Sequence, residues 1–450
     1  MSQAISSEIA AFAVGTRWED LPREVQRETL RALTNGLAAG LGGAGDVAVE
    51  TIFRSLRPFS GGGRASLIGR SFRPDMSLAA FVNAAAINVL DFDETHVGTI
   101  IHPVAPVAGA ALALAEELGV TGSALLEALT IGIEAACRIG NAVSPGHYAR
   151  GWHISATCGV FGAALASARL LGLDHEKTLH ALGIASSQSS GLVETLGTMA
   201  KSVGVGHAAR AGLTAAIMAR EGLEGPAAPL EGRLGFLAVT ADPPVPERVL
   251  DGLGAQWELQ RIMYKPYPCG VVLNPVIDAC LFLRAEPGFD PSGIANVEVV
   301  GSELLRARTD RPFVTQGREA QVSAQHAVAI SLLRGAAGAA EFSDAAVSDP
   351  TVLALRSRVG RIVVQPGMAE DEALVRLHFI DGTMRESRVT QPLGSLDTPL
   401  SDAAIASKLR ALALHGAPDI NADELLSALS ELPTARNTAA LMQALRAPEL

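Results

Sequence analysis

The sequence predicts a mainly α protein, with a large all-helical domain and a smaller α+β domain whose sheet is mostly antiparallel. Three observations carry this. Apolar residues recur at spacings of three and four through most of the first 265 residues. Short β-branched runs gather only after about residue 270. Within ALVRLHFIDGTMRESRV (373–389), Asp381-Gly382 separates two alternating runs, a strong hairpin signal.

In chain order, the periodicity predicts helices over 21–41, 76–90, 104–120, 121–143, 157–173 and 207–223. Several are apolar nearly all round, so they belong inside a multi-layer helical body. Stretches such as LGVTGSALL and LLGLDHEKTL read as a glycine stop followed by a polar N-cap. IANVEVVGSELL (294–305) and GRIVVQPG (360–367) read as strands, with a helix over 319–335 between them. Beyond about residue 400 the pattern returns to helix. The expected division is 1–268 for the helical domain, with 396–450 packing back on it, and 269–395 for the α+β domain. Proline-bearing stretches near 243–247 and 285–291 are candidate linkers.

Hydrophobic residues make up 48% of the 450 residues and charged ones 18%, enough for a large core. The formal net charge is −11, with no block of like charge, which argues against nucleic acid or an anionic membrane as partner. The N-terminal residues lack a basic region followed by an apolar one, so a cytoplasmic protein is expected. Four cysteines without CxxC spacing read as reduced thiols rather than a disulfide framework or zinc site. Of the 36 basic residues only Lys177, Lys201, Lys265 and Lys408 are lysine. Arginine stays protonated, whereas lysine can exchange a proton, so a lysine in this chain is a candidate for chemistry.

Four stretches break the apolar background. LDFDETHVGTIIHP (90–103) places Asp91, Asp93, Thr95, His96 and His102 between two apolar helices. Turn chemistry explains single residues there, but unpaired buried polar groups cost roughly 1–3 kcal/mol each, so such density asks for a use. A metal site would need ligand spacing that this stretch lacks. SPGHYARGWH (144–153) sets Tyr148 and His153 before a Gly/Ala helix. MAKSVGVGHAARAG (199–212) carries Lys201; no strand precedes its glycines, which excludes a dinucleotide loop. RIMYKPYPCG (261–270) places Lys265, Tyr267 and Cys269 in a proline-stiffened loop at the inferred domain boundary, where ligand clefts prefer to form. The set suits binding carboxylates and moving protons beside them. It offers no phosphate loop, activated serine, or flavin or nicotinamide site.

DFDETH and HP, HYARGWH, MAKSVGVGHAARAG and KPYPCG, in that order, resemble the MmgE/PrpD family, which includes 2-methylcitrate dehydratase, cis-aconitate decarboxylase and iminodisuccinate epimerase. The resemblance spans nearly the whole chain. It implies a homodimer and no cofactor, and a cleft for a small di- or tricarboxylate. It places Asp91, Thr95, His102, His153, Lys201 and Lys265 in that cleft and matches Tyr148 to a proposed base. The catalytic candidates are therefore Asp91, His102, Tyr148, His153 and Lys265; the substrate-binding candidates are Thr95, Lys201, His96 and Tyr267. The implied activity is removal of a proton alpha to a carboxylate, leading to a lyase reaction (loss of water or CO₂). An epimerase stays open as the alternative, and a non-catalytic carboxylate-binding protein as a remote one. HVGTII, between Thr95 and His102, is one residue longer than the decarboxylase pattern and carries His96 where that branch has tryptophan.

Overall fold

The computed structural model describes residues 4–448. They form two compact units, one running to Met263 and resuming at Ser401, the other spanning Tyr264–Leu400. The break at Met263/Tyr264 assigns Tyr264, Lys265 and Tyr267 to the second unit.

Six helices build the first unit around the site: α1 Arg23–Gly43, α2 Met76–Asn88, α3 Val104–Leu118, α4 Gly122–Val143, α5 Gly159–Leu170 and α6 Lys201–Arg220. The Asp75 side chain caps α2 by accepting from the Leu78 N–H, and Thr121 caps α4 at Ala124. Helix α3 ends at Gly119 in the left-handed conformation, φ 64°. Helices α3, α5 and α6 pack on one another, α2 lies on α3 and α6, α4 lies on α5, and α1 lies on α2. Small residues permit the close approach. A Cβ at Gly132 of α4 would stand 2.7 Å from the Gly162 carbonyl oxygen of α5. A helix formed by Asp402–Gly416 returns to pack on α1.

Helix α6 starts at Lys201, ahead of the expected 207. Gly204 and Gly206 do not delay it, because packing outweighs their propensity. A Cβ at Gly206 would meet the Phe81 carbonyl oxygen of α2 at 2.7 Å. Between α4 and α5 the chain forms two short helices, Gly146–Ala149, which carries Tyr148, and Ile154–Thr157.

The second unit is built on a four-stranded sheet. Its strands are β1 Ile294–Gly301, β2 Val363–Val364, β3 Ala373–Phe379 and β4 Met384–Val389, in the order β2-β1-β3-β4. β1 and β3 run antiparallel with Val299 opposite Val375, β3 and β4 form the expected hairpin, and β2 joins β1 in parallel. Gly382 takes φ 87° in the turn, and Asp381 Oδ1 accepts from the Thr383 N–H. Helices Asn274–Ala285 and Ala324–Arg334 pack on each other, and the first also lies on β3 and β4. All four cysteines are buried, and none is in a disulfide. Among the described residues, no helix is long and apolar enough to cross a membrane.

Candidate active site

The site in the first unit begins where α2 ends. The Asp91 N–H donates to the Asn88 carbonyl at 3.2 Å, and Asp91 takes φ 54°. A left-handed conformation costs a non-glycine residue roughly 1–2 kcal/mol, so the surroundings must hold it. Buried Asn88 is one holder. Its Nδ2 donates to Asp93 Oδ2 at 2.8 Å and its Oδ1 accepts from Ser202 Oγ at 3.4 Å, linking the turn to the start of α6.

Lys201, the first residue of α6, donates from Nζ to Asp91 Oδ1 at 2.6 Å. His102 Nε2 lies 3.9 Å from the same oxygen. The other ring nitrogen, Nδ1, donates to the Glu94 carbonyl at 2.5 Å, with Thr95 Oγ1 at 3.4 Å. A carbonyl can only accept, so Nδ1 carries a hydrogen, and Nε2 is the ring nitrogen on the side of Asp91. The His102 backbone N–H donates to Ser155 Oγ at 2.9 Å. Beneath it, Glu94 Oε1 accepts from the Val104 N–H at 2.8 Å in the first turn of α3. Glu94 is fully buried, and burial first, then the charge of Asp93, pushes its carboxyl up to about 8.

His153 completes this group. Burial, then the positive charge of Lys201 and of His102 when protonated, brings it down to about 3, so it is a neutral imidazole at neutral pH. Its backbone N–H donates to the Gly191 carbonyl at 3.1 Å. Asp91, Thr95, His102, His153 and Lys201 are thus brought together within the first unit. Asp91, Asp93 and His102 bring three ligand-type atoms within 4.8 Å of one another; the cation seated on Asp91 is Lys201.

Of the remaining candidates, Tyr148 and His96 belong to the first unit, and Lys265 and Tyr267 to the second. Tyr148 is half-buried on Gly146–Ala149. That helix is anchored by His147, which bonds Thr157 Oγ1 through Nε2 at 2.7 Å and the Thr240 carbonyl through Nδ1 at 3.2 Å. Burial brings His147 down to about 4. His96, expected to contact substrate, instead spends both ring nitrogens on protein. Nε2 bonds Glu258 Oε2 at 2.9 Å and Nδ1 bonds Thr99 Oγ1 at 2.9 Å. The His96 hydrogen bond holds the Glu258 carboxyl below its ordinary range. In the second unit Lys265 is buried. The Tyr267 hydroxyl, also expected at substrate, is committed to Asp278 Oδ1 at 2.6 Å; burial, then Asp278, drives it well above the ordinary tyrosine range. Sequence reasoning passed over Asn88, Glu94 and Ser155. Of these only Glu94 carried a signal, as an acid inside the DFDETH motif.

A cis-aconitate decarboxylase of Aspergillus terreus (strain NIH 2624 / FGSC A1156) is 28% identical over 474 residues, covering 99% of this chain and 96% of that protein. Cis-aconitate decarboxylases of Mus musculus and Homo sapiens are 26% and 27% identical, each across 100% of this chain and 95% and 96% of their own lengths. Family models describing the MmgE/PrpD N-terminal and C-terminal domains match residues 7–248 and 267–431, and the chain belongs to the MmgE/PrpD family.

Proposed function

We propose that the protein is a cofactor-independent lyase that acts on a di- or tricarboxylate through an intermediate with negative charge alpha to a carboxylate. Support comes above all from the grouping of His102, Asp91 and Lys201, with His102 Nε2 3.9 Å from the Asp91 oxygen that accepts from Lys201. In this reading Nε2 removes or returns the proton at the α-carbon, and Asp91 stabilises the imidazolium. Lys201 and the N-terminus of α6 favour a substrate carboxylate and the charge that spreads into it. Neutral His153 and Thr95 donate hydrogen bonds without adding charge. For dehydration, the α C–H bond breaks, its pair forms the new double bond, and hydroxide leaves as water on protonation. For decarboxylation of a β,γ-unsaturated acid, the C–CO₂ bond breaks, the double bond shifts, and a proton arrives at the carbon alpha to a remaining carboxylate. Stabilising the developing charge is the larger contribution, roughly 3–4 kcal/mol per well-placed donor, and acid–base help adds about 10²- to 10⁴-fold.

Lys265 enters on its KPYPCG motif alone; Lys265→Ala is expected to abolish turnover with the fold intact, and retained turnover removes it from the mechanism. Proton NMR in D₂O with cis-aconitate, 2-methylcitrate and iminodisuccinate, one per tube, tests the reaction. New vinyl signals with loss of water or CO₂ support the lyase. Interconverting stereoisomers that take up α-deuterium, with the carbon skeleton intact, replace it by an epimerase. Silence in every tube, with saturable binding of carboxylates, replaces it by a binding protein.

A further inference from the structure

Lys408 is one of four lysines in the chain, and it is buried. It comes from the return helix Asp402–Gly416 and reaches the site from behind. Its Nζ donates to the Phe92 carbonyl at 2.7 Å and to Asn35 Oδ1 of α1 at 2.8 Å, and stands 3.8 Å from the Phe92 ring centroid. Burying an ammonium is costly unless hydrogen bonds and charge compensate it. The carbonyl, the amide oxygen and the ring face supply that here. Its positive charge also opposes the rise of the Glu94 carboxyl, against the effect of Asp93. A packing role alone would be met by an apolar residue of the same length. What the ammonium adds is a clamp on the peptide between Phe92 and Asp93, next to the strained Asp91.

We propose that Lys408 is a positioning residue: by pinning the Phe92 carbonyl it holds Asp91 in the left-handed conformation that presents its carboxylate to Lys201 and His102. The proposal rests on the reading of this site as a carboxylate lyase, and two measurements keep the two apart. The first is steady-state turnover of whichever carboxylate the wild type converts. Lys408→Met is expected to lower kcat about 10- to 100-fold with KM changed by less than about threefold, because the substrate still binds while the acid–base pair is misaligned. Lys408→Arg, which keeps charge and donors, recovers part of the loss. A Lys408→Met protein with kcat within about threefold of wild type overturns the proposal. The second measurement needs no activity. A crystal structure of Lys408→Met is expected to show Asp91 out of the left-handed region and the Asp91–Lys201 hydrogen bond lost; an unchanged turn overturns the proposal. A wild type inert toward every carboxylate defeats the lyase reading and leaves the crystal structure to decide. Should Lys408→Met not fold, Asn35→Ala removes one of the ammonium's anchors; the same changes in smaller degree are expected, and none overturns the proposal.

Discussion

Two carboxylate–cation pairs in the helical unit have the same separation and opposite characters. Glu134–Arg138 on α4 and Asp91–Lys201 at the site both close at 2.6 Å. The first is fully buried and fully used. Arg138 also donates to the carbonyls of Val249, Asp251, Gly252 and Gln256, and Glu134 accepts from the N–H groups of Glu258 and Leu259. It fastens the segment 249–259 to the helix. The second pair joins residues 110 positions apart, its side chains keep 23% and 12% of their exposure, and Asp91 sits on a strained backbone. Distance alone does not distinguish a fastener from a reactive pair. Accessibility and local strain do.

The largest expected effect separates the two directly. His102→Gln is expected to lower kcat/KM by about 10²- to 10⁴-fold with the unfolding midpoint in urea little changed, since it removes the proposed base beside the accessible pair. Arg138→Met does the reverse. It strands Glu134 in the interior and is expected to cost about 3–5 kcal/mol in urea unfolding, while kcat per folded molecule holds. If Arg138→Met abolished kcat in protein that remained folded, the contrast between the pairs would collapse.

Smaller effects appear in the pH dependence of stability. Glu94 keeps its proton in the fold until about pH 8, whereas the unfolded chain releases it near the ordinary value of 4.5. Folding therefore retains a proton between those limits, and this group makes stability fall as pH rises through them. Glu94→Gln should remove that slope, as read from urea midpoints between pH 5 and 8. His153 acts with the opposite sign. It is neutral in the fold down to about pH 3 but charges near 6.5 when unfolded, so its contribution makes stability rise with pH from about 3 to 6.5. His153→Asn should flatten the acid side. The smallest effect belongs to a third ion pair. Asp402 meets Arg27 at 2.8 Å with more than half of each side chain exposed, and also meets Arg31; Arg27→Gln, which removes only the exposed pair, should cost no more than about 1 kcal/mol.

Much of this was legible in the residues. The apolar helices, the Asp381-Gly382 hairpin and the concentration of acids and histidines after α2 follow from periodicity and contrast. The directions of those side chains do not. His96 and His102 lie in one polar stretch, yet Glu94–His96 is extended. Extended residues alternate faces, so Thr95 and His96 cannot point the same way. The start of α6 was hidden because glycine weakens helix propensity, whereas here Gly206 admits the α2 backbone. Lys408 carried the signal of a rare residue type, but its partner Phe92 lies 316 positions away, beyond any local pattern.

The return of the chain at Ser401 also sets a timetable for synthesis. Everything from Tyr264 to Leu400 leaves the ribosome before the helix that carries Lys408. Domains usually fold in the order they emerge. Here the first unit must wait, with the face of α1 that receives this helix open, while the second is made. A nascent chain halted at residue 400 would hold Asp91, His102, His153 and Lys201 and still lack the ammonium behind Phe92.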